Sequence, residues 1–374
     1  MTRDTPLLGI VPAPVAQLPW RPILLILAIG CFGLVVLYSA AGGSLRPWAL
    51  PQGIRFFAFL LMAMALSRVP EAWWKAGALP AYGLLVAALV GVELLGKISG
   101  GSQRWINVGF VNLQPSELMK LAIILALARF YDILPAAETR AWSGIWPAAA
   151  LIGVPAALVM LQPDLGTALM IGAGGATVLF LAGVPIRLFA GALAAVAVVV
   201  PLAFRFVLHD YQRNRILIFL DPDSDPLRTG YHISQSKIAI GSGGLAGKGF
   251  LHGTQSQLDY LPERQTDFVF ATMAEEWGLV GGIGLILAFF LVVRWAMGVA
   301  ERANSRFARL AAAGLATTIF FYVAINLAMV MGLAPVVGIP LPLVSFGGSA
   351  QLTVLLCFSI LLSIDRETRA VRRW

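Results

Sequence analysis

A short segment before one long apolar run is unusually rich in carboxylates. Asp259, Glu263, Asp267, Glu275 and Glu276 are five of the chain's 19 acidic residues, and all lie in LDYLPERQTDFVFATMAEE. Moving an ionisable side chain to the centre of a membrane costs about 2.5–3.5 kcal/mol on insertion scales, so residues of this kind are usually retained for function. We therefore expect acid–base chemistry in this segment.

Asp267 is the strongest candidate for a general base. It follows Thr266 and precedes the apolar residues Phe268–Phe270, so it is predicted to lie where a loop meets the apolar slab. Partial burial would raise the pKa of its carboxyl group towards the range useful for proton abstraction, whereas nearby Lys or Arg would oppose that rise. Glu275 and Glu276 come at least two turns later, too deep for a surface cap. They either brace neighbouring helices by hydrogen bonds, which we favour, or line the floor of a cavity.

Glu117 and Lys120, in the segment LQPSELMK, form a second candidate pair. Their i, i+3 spacing places the two side chains on one face of a helix, within contact distance. Two interpretations stay open: an ordinary ion pair at the membrane interface, or a functional pair beside the preceding segment with Arg104 and Trp105. Trp105 itself is most simply an interfacial aromatic residue.

Prolines and acidic residues recur where predicted helices begin. Pro115, Pro163 and Pro342 are expected at or just before first turns, where a missing N–H is harmless. Asp164 in LQPDLG follows the same pattern as Glu117. An acid at a helix start can be a simple cap that gains about 0.3–1 kcal/mol from the helix dipole. Alternatively, several helix starts meet around one cavity, where their N-termini and nearby Lys or Arg attract anions such as phosphate.

The composition indicates a membrane protein. With 59% hydrophobic residues, 12% charged residues and a mean hydropathy of +0.82, the 374-residue chain has too few charges to cover a soluble surface. A spanning helix needs about 17–25 residues. Ten apolar runs, of which the second and fifth are short, predict an all-α polytopic membrane protein with about ten transmembrane helices: 22–40, 53–67, 78–95, 116–131, 146–161, 165–183, 186–204, 268–293, 310–332 and 344–364.

The distribution of Lys and Arg predicts the orientation. An even number of helices places both termini on one side, and most basic residues lie on that side, so we expect cytoplasmic termini. The predicted organisation is a cytoplasmic tail over 1–20, a single transmembrane domain over 21–364 and a basic cytoplasmic tail over 365–374. The net charge of +8 is explained by this orientation and by contact with anionic membrane lipids. Nucleic-acid binding is not required.

The one long connection, 205–266 between the seventh and eighth predicted helices, is expected to be extracytoplasmic. Loops of this length without regular structure are usually functional in a compact protein, although a disordered outer loop is the alternative. In the same orientation the even-numbered helices begin at the outer face. Glu117, Asp164 and Asp267 would then lie on the same side of the membrane as the loop.

Several familiar catalytic and metal-binding patterns are missing. Cys31 and Cys357 both lie in predicted spans, the chain has three His, and no CxxC is present, so neither a disulfide framework nor a zinc site is indicated. The sequence also lacks a Walker A motif, a GxSxG elbow, HExxH and a strand-associated GxGxxG. These absences argue against an ATP-driven pump and against serine or zinc hydrolases. Acid–base chemistry on a lipid-accessible substrate remains.

Five segments resemble, in the same order, the SEDS family of shape, elongation, division and sporulation proteins: GSQRWINVGFVNLQPSELMK, LQPDLGTALM, DPLRTGYHISQSKIAIGSGGLAGKG, GTQSQLDYLPERQTDFVFATMAEEWG and GLAPVVGIPLPLVSFGGSA. The resemblance implies a ten-helix glycosyltransferase of the bacterial plasma membrane that polymerises lipid II into peptidoglycan glycan strands. The wording of the last two segments favours a role in cell elongation and rod shape. Val269 and Trp277 stand where Ile and Leu are expected, which are conservative departures.

By motif, the resemblance implies that Asp267 is the essential catalytic carboxylate. The supporting residues that it implies are Glu117 and Lys120 close to Asp267, Arg104 and Asp164 in the same outward cavity, and Arg215 as a weaker loop candidate. Asp267 would deprotonate the acceptor hydroxyl as it attacks the anomeric carbon, with inversion. Lys120, Arg104 and the helix N-termini would stabilise charge on the leaving pyrophosphate. A divalent cation, Mg²⁺ or Mn²⁺, is a further candidate for that role, although no motif requires a cofactor.

The resemblance also implies partners, namely lipid II, a class B penicillin-binding protein that acts as transpeptidase, and other elongation-complex proteins. The main alternative is a lipid II flippase. Transport predicts polar sites accessible from both faces, often with repeats and broken helices, whereas the candidate residues gather at outer helix ends and no repeat is evident. A non-enzymatic scaffold for the penicillin-binding protein would not explain Asp267 together with Glu117 and Lys120.

Overall fold

A computed structural model describes residues 18–95, 97–99, 102–107, 112–206, 213, 229–261 and 263–371. Ten long helices in these ranges coincide with the ten predicted runs, so the all-α polytopic fold is confirmed. They are Trp20–Ala40 (α1), Ala49–Leu66 (α2), Glu71–Leu95 (α3), Pro115–Ile133 (α4), Trp142–Leu161 (α5), Leu165–Ala182 (α6), Ile186–Phe206 (α7), Val269–Arg302 (α10), Arg306–Val330 (α11) and Gly348–Val371 (α12). The short helices Thr229–Ser242 (α8) and Thr254–Gln257 (α9) lie between α7 and α10.

Eight of the ten long helices are long and apolar enough to cross a membrane. The first of the other two, α7, is apolar over the shorter stretch Ile186–Val199. The second, α4, carries Glu117, Lys120, Arg129 and Asp132 among its 19 residues. The chain is therefore a multi-pass membrane protein in which one central helix carries charged residues near both of its ends.

The position of α4 in the bundle explains how it tolerates charge. It packs against α3, α5, α6, α11 and α12, and most of its residues are buried. Small residues on its neighbours allow this close approach: a Cβ atom on Gly314 of α11 would lie 2.5 Å from Ile124 Cγ2. Its charged side chains near the N-terminus consequently face protein, where partners can satisfy them, and not lipid.

The helix α10 is broken at Gly278, whose φ of 63° and ψ of −160° lie outside the helical region. The break frees two carbonyls and two amides, which a membrane interior could not hydrate. The segment 243–249 supplies their partners through four backbone hydrogen bonds: Lys248 to Glu275 (3.0 Å), Gly249 to Glu276 (3.1 Å), Leu279 to Gly244 (2.9 Å) and Val280 to Leu245 (3.1 Å). A loop segment thus completes the interrupted helix.

The side chains of Glu275 and Glu276 brace this same region. Glu275 Oε1 accepts hydrogen bonds from Lys248 Nζ at 2.7 Å and Thr254 Oγ1 at 3.0 Å, and it also accepts from the Gln255 amide at 2.9 Å. Glu276 accepts from the Ser39 hydroxyl of α1. The favoured interpretation, bracing by hydrogen bonds, is confirmed, although the main structure braced is a loop.

The connection over 205–266 was expected to be a loop without regular structure, yet its described part contains the helices α8 and α9. In its described part, α8 packs against α10 and α11, and Ser236 Oγ donates to Val330 O at 2.7 Å near the end of α11. A small antiparallel sheet that hydropathy did not predict joins α3 to α4 through Lys97–Ser99 (β1), Ser102–Asn107 (β2) and Asn112–Leu113 (β3). These polar connections cover the end of the bundle at which α4 and α10 begin.

The bounds of α12 differ from the prediction at both ends. The helix begins at Gly348, four residues late, because 342–346 form turns in which Leu343 has a φ of +65°. The expectation that Pro342 lies at a first turn is therefore wrong. At its other end α12 continues to Val371, so the predicted tail over 365–374 begins as helix.

Candidate active site

The starts of four long helices meet around a cavity of about 410 Å³. The segment 336–347, between α11 and α12, closes one side of it. Lining residues from the helix starts are Gln114 and Glu117 for α4, Asp164 and Thr167 for α6, Thr266 and Asp267 for α10, and Ser349 and Ala350 for α12. The alternative in which several helix starts meet around one cavity is confirmed, and the arrangement brings three carboxylates into a shared space.

Asp267 lies in the turn before α10, half-buried at the cavity wall. No hydrogen bond engages its carboxylate among the residues that the structure describes. Burial, and secondarily the negative charge of Glu263, raises the pKa of Asp267 to about 6. Opposite it, Gly338 leaves room: a Cβ atom there would lie 3.6 Å from Asp267 Oδ2. Asp267 is thus an accessible carboxylate that is more basic than an ordinary aspartate.

Glu117 lines the cavity, whereas Lys120 lies behind it. Lys120 Nζ is 2.6 Å from Glu117 Oε1 and 4.3 Å from the centre of the Tyr322 ring, and Lys120 is 1% exposed. The Tyr322 hydroxyl donates to the other oxygen of the same carboxylate, Glu117 Oε2, at 2.6 Å. In this arrangement Lys120 acts on the cavity through Glu117 and not by direct contact.

Asp164 combines the two roles that its position allowed. As the N-cap of α6, its Oδ1 accepts from the Thr167 amide at 3.2 Å, which satisfies one free N–H of the first turn. Its Oδ2 accepts from Gln114 Nε2 at 3.2 Å, which ties the start of α6 to the start of α4. It also lines the cavity, so capping and a place in the site are not alternatives here.

The remaining predicted residues are less fully placed. Arg104 lies on β2 next to Trp105, and its side chain is outside the described part of the structure. Trp105 lines the cavity, so it is more than an interfacial residue. Arg215 is outside the described residues.

Cation side chains and metal ligands are sparse around the cavity. Within the described ranges, no Lys or Arg side chain lines it, and no group of three or more His, Cys, Asp and Glu side chains is arranged to hold a metal ion. The two capped or paired carboxylates, Asp164 and Glu117, are already bonded to protein groups. Among the described groups, positive potential at the cavity comes from the converging helix N-termini.

Sequence reasoning missed several residues that build the site. Tyr322 gave no signal, because an aromatic residue in an apolar run usually belongs to the core. Gln114 precedes the predicted α4 within LQPSELMK and could have been considered as a cap, yet its contact with Asp164 joins two different helices. Asn326 and Ser345 hold the turn that carries Asp267 and are described below.

Comparison with known proteins gives a consistent result. A family model described as a cell cycle protein, FtsW/RodA/SpoVE, matches residues 19–370. The chain is 44% identical over 353 residues, 94% of each chain, to the peptidoglycan glycosyltransferase MrdB of Escherichia coli strain K12.

Solved structures also match along most of their length. One describes the structural coordination of polymerization and crosslinking by a peptidoglycan synthase complex, with a TM-score of 0.82, 33% identity and coverage of 94% of this chain and 98% of that one. Another is the rod shape determining protein RodA of Thermus thermophilus, with a TM-score of 0.71, 30% identity and coverage of 94% and 97%. The chain therefore belongs to the FtsW/RodA/SpoVE family, which is the shape, elongation, division and sporulation family that its motifs resemble.

Proposed function

We propose that this chain polymerises lipid II into glycan strands for cell elongation and rod shape, with Asp267 as the general base. The chain is a membrane-embedded peptidoglycan glycosyltransferase, as its similarity to MrdB indicates. The observation that carries the assignment of the base is the half-buried Asp267 carboxylate, which borders the cavity without a described hydrogen-bond partner. The neighbouring carboxylates, Glu117 and Asp164, are engaged by protein donors.

The proposed reaction is a single displacement at the anomeric carbon, with Asp267 as the base. Asp267 takes the proton of a sugar hydroxyl on the acceptor as the hydroxyl oxygen forms a bond to the anomeric carbon of the donor. The bond from that carbon to the lipid pyrophosphate breaks, and the pyrophosphate leaves with the electron pair. Attack opposite the leaving group inverts the centre, so an α-linked donor gives a β-linked polymer.

Negative charge that develops on the pyrophosphate needs stabilisation. The first turns of α4, α6 and α12 border the cavity, and the positive ends of helix dipoles stabilise negative charge most effectively where water is excluded. We propose Arg104 and Arg215 as direct contacts from the connecting segments. Lys120 would hold Glu117 in place beside the reacting groups.

The pKa of Asp267 suits this role. A general base is most efficient when its pKa lies near the working pH, because it is then both ionised and strongly basic. A pKa of about 6 leaves Asp267 mainly ionised at neutral pH.

We propose that a divalent cation, Mg²⁺ or Mn²⁺, binds only together with the substrate. The described side chains form no cluster of three ligands, and Mg²⁺ is commonly held by one or two carboxylates plus substrate phosphates. Calorimetric titration of the substrate-free protein with Mn²⁺ should show no saturable binding at micromolar concentration. Tight binding without lipid II would contradict this proposal.

The cellular setting is also proposed. The excess of Lys and Arg in alternate connections supports cytoplasmic termini, a cavity at the outer face and insertion in the bacterial plasma membrane with its anionic lipids. The similarity to a chain of a peptidoglycan synthase complex supports a class B penicillin-binding protein as the crosslinking partner, together with other elongation-complex proteins.

The flippase alternative gains one feature from the structure, because broken helices occur in transporters. In α10, however, the backbone groups freed at Gly278 are bonded to the segment 243–249 and therefore do not offer a substrate site. Polymerisation of lipid II is therefore better supported than transport of lipid II.

The deciding experiment uses the protein purified with its penicillin-binding partner and supplied with lipid II. Asp267→Asn should lower polymer yield by about 10²-fold or more, as expected for loss of a general base. Asp259→Asn, eight residues earlier and 80% exposed at its side chain, is the matched control. Full polymer yield with Asp267→Asn would refute the proposed base. A native complex that moved lipid II across liposomes without forming polymer would instead support a flippase.

A further inference from the structure

Three successive carbonyl groups in the turn before α10 each accept a hydrogen bond from a different residue of α11 or of the segment 336–347. Gln265 O accepts from the Phe346 amide at 2.8 Å. Thr266 O accepts from Ser345 Oγ at 2.6 Å, and Asp267 O accepts from Asn326 Nδ2 at 2.9 Å. The backbone is therefore held at each of the two residues that precede the carboxylate and at Asp267 itself.

These three carbonyls lie outside the hydrogen-bond ladder of α10, which begins with acceptance by Phe268 O. Backbone acceptors that are partly removed from water in this way are usually satisfied by partners from elsewhere in the protein. Two of the three donors are side chains, from Asn326 of α11 and from Ser345 between α11 and α12, and both residues are buried. The conformation of the turn therefore depends on two particular side chains.

Asn326 also bonds to the segment 336–347 that forms the facing wall, and Ser345 belongs to that segment and bonds within it. Asn326 Nδ2 donates to Ile339 O at 2.7 Å, and Ser345 Oγ accepts from the Leu341 amide at 2.8 Å. A third side chain, Gln52 of α2, supports that wall through Ser345 O at 2.8 Å and the Gly347 amide at 3.3 Å. The turn with Asp267 and the wall with Gly338 are thus fixed to each other through single side chains.

We propose that Asn326 and Ser345 are positioning residues for glycosyl transfer, which set the distance of the Asp267 carboxylate from the 336–347 wall. This inference rests on Asp267 as the proposed base. Neither residue lines the cavity within the described set, so each acts through the peptide that carries Asp267.

The buried environment of Asn326 supports a specific role. Its amide nitrogen serves two carbonyls, while its Oδ1 is buried without a partner among the described residues. An unsatisfied buried acceptor costs about 1–3 kcal/mol. An asparagine retained at that cost is better explained by what its donor positions than by stability alone.

The first test compares two serines that make the same bond at different places. Ser345→Ala removes a 2.6 Å hydroxyl–carbonyl bond beside the site, and Ser363→Ala removes a 2.6 Å hydroxyl–carbonyl bond to Val69 at the other end of α12. Displacement of a reacting group by about 1 Å can cost about 10²-fold in rate. For Ser345→Ala in the complex with its partner we expect kcat to fall by about 10- to 100-fold, with KM for lipid II changed less than about twofold.

The second readout is the pH profile of kcat/KM, which reports the pKa of the substrate-free protein. Loosening the turn admits water to Asp267, which lowers its pKa from about 6 towards the ordinary range, so the acidic limb should move to lower pH while the plateau falls. Described ionisable groups near this region are Glu263 and Arg264 on the same turn, Glu117 and Asp164 across the cavity, Arg55, which lies 5.5 Å from the Phe346 ring centre, and His232, which stacks on Phe268 at 6.0 Å. All are unchanged in the variant. A purely structural loss would scale the whole profile without moving the limb.

Two further variants address folding. Ser345→Thr keeps the hydroxyl and should recover most of the activity, whereas Asn326→Leu keeps the approximate shape, loses the donor without adding charge and should resemble Ser345→Ala. Equal kcat for Ser345→Ala and Ser363→Ala, or a profile lowered uniformly in both, would overturn the positioning role. If Asp267→Asn is inactive in the same assay, either of those two outcomes overturns the positioning role and leaves Asp267 as the base. An active Asp267→Asn would instead refute the proposed base.

Discussion

Lys120 and Glu117 form a 2.6 Å ion pair that is sealed within the protein, and only the carboxylate of the pair borders the cavity. The pair had two interpretations, an ordinary intrahelical bridge or part of a site. Both side chains are buried, and Tyr322 of α11 contacts each of them, so the pair is not an interfacial bridge exposed to water. Whether the charges matter for chemistry as well as for folding can be measured.

We expect Lys120→Met to destabilise the protein strongly, because it leaves a buried carboxylate without its cation, a change that typically costs about 3–5 kcal/mol. Adding Glu117→Gln should restore much of the stability by removing the uncompensated charge. The double variant should remain inactive in lipid II polymerisation. Thermal unfolding in detergent and polymer yield measure the two effects separately, and an active double variant would show that the pair serves folding alone.

Tyr322→Phe should weaken the same carboxylate's support without removing charge. It deletes the hydroxyl that donates to Glu117 Oε2 at 2.6 Å and is expected to cost about 1–3 kcal/mol. We also expect a fall in polymerisation of about 10-fold or more, because Glu117 gains freedom at the cavity wall.

The matched control for this change is Tyr131→Phe. Tyr131 is equally buried in the bundle, and its hydroxyl donates to Gly144 O at 3.1 Å near the opposite end of α4. Similar activity losses in the two variants would argue that Tyr322 has no particular role at the site.

The pH dependence of turnover should report Asp267. Because the base must be ionised, kcat/KM is expected to rise with pH through an apparent pKa near 6, the value for the substrate-free protein. Glu263 raises that pKa by repulsion between like charges, so Glu263→Gln should lower it and increase the fraction of activity retained at pH 5. The shift should be modest and smaller at high salt, because Glu263 is exposed.

Glu301→Gln, an exposed change at the far end of α10, is the control for net charge. An upward shift with Glu263→Gln, or the same shift with both variants, would be inconsistent with a local effect on Asp267.

The break in α10 predicts a contrast between two glycines of one helix. Gly278→Ala should destabilise the protein by about 1–3 kcal/mol or more, because a Cβ atom there would lie 2.3 Å from the Gly247 nitrogen and the backbone has a φ of +63°. Gly284→Ala places its methyl in open space and should be neutral or stabilising by up to about 1 kcal/mol. Melting temperatures of the two purified variants provide the test, and equal values would mean that the break is not required.

Much of the architecture follows from one-dimensional patterns. Hydropathy located the ten long helices, and the recurrence of Pro and acidic residues at helix starts indicated that Glu117, Asp164 and Asp267 share an end of the bundle. These features are local, since each depends on residues within a few turns.

What the sequence did not reveal depends on contacts between distant segments. The run of α10 is continuous in hydropathy, so nothing marks Gly278 as a break until the segment 243–249 is seen to complete its hydrogen bonds. Likewise, Asn326 and Ser345 look like isolated polar residues near apolar runs, and their purpose is visible only beside the carbonyls of Thr266 and Asp267. Lys120 could be paired from spacing, but its place behind Glu117 required the surrounding helices.

The pairing of Glu117 with Lys120 inside one helix has a consequence for biogenesis. Helices enter the bilayer in the order of synthesis, so α4 leaves the insertion machinery before α6, α11 and α12 exist to surround it. An i, i+3 pair can neutralise itself within the newly made helix, which lowers the cost of exposing two charges to lipid at that stage. The hydroxyl of Tyr322, 205 residues later, arrives as a final addition to a charge pair that is already compensated.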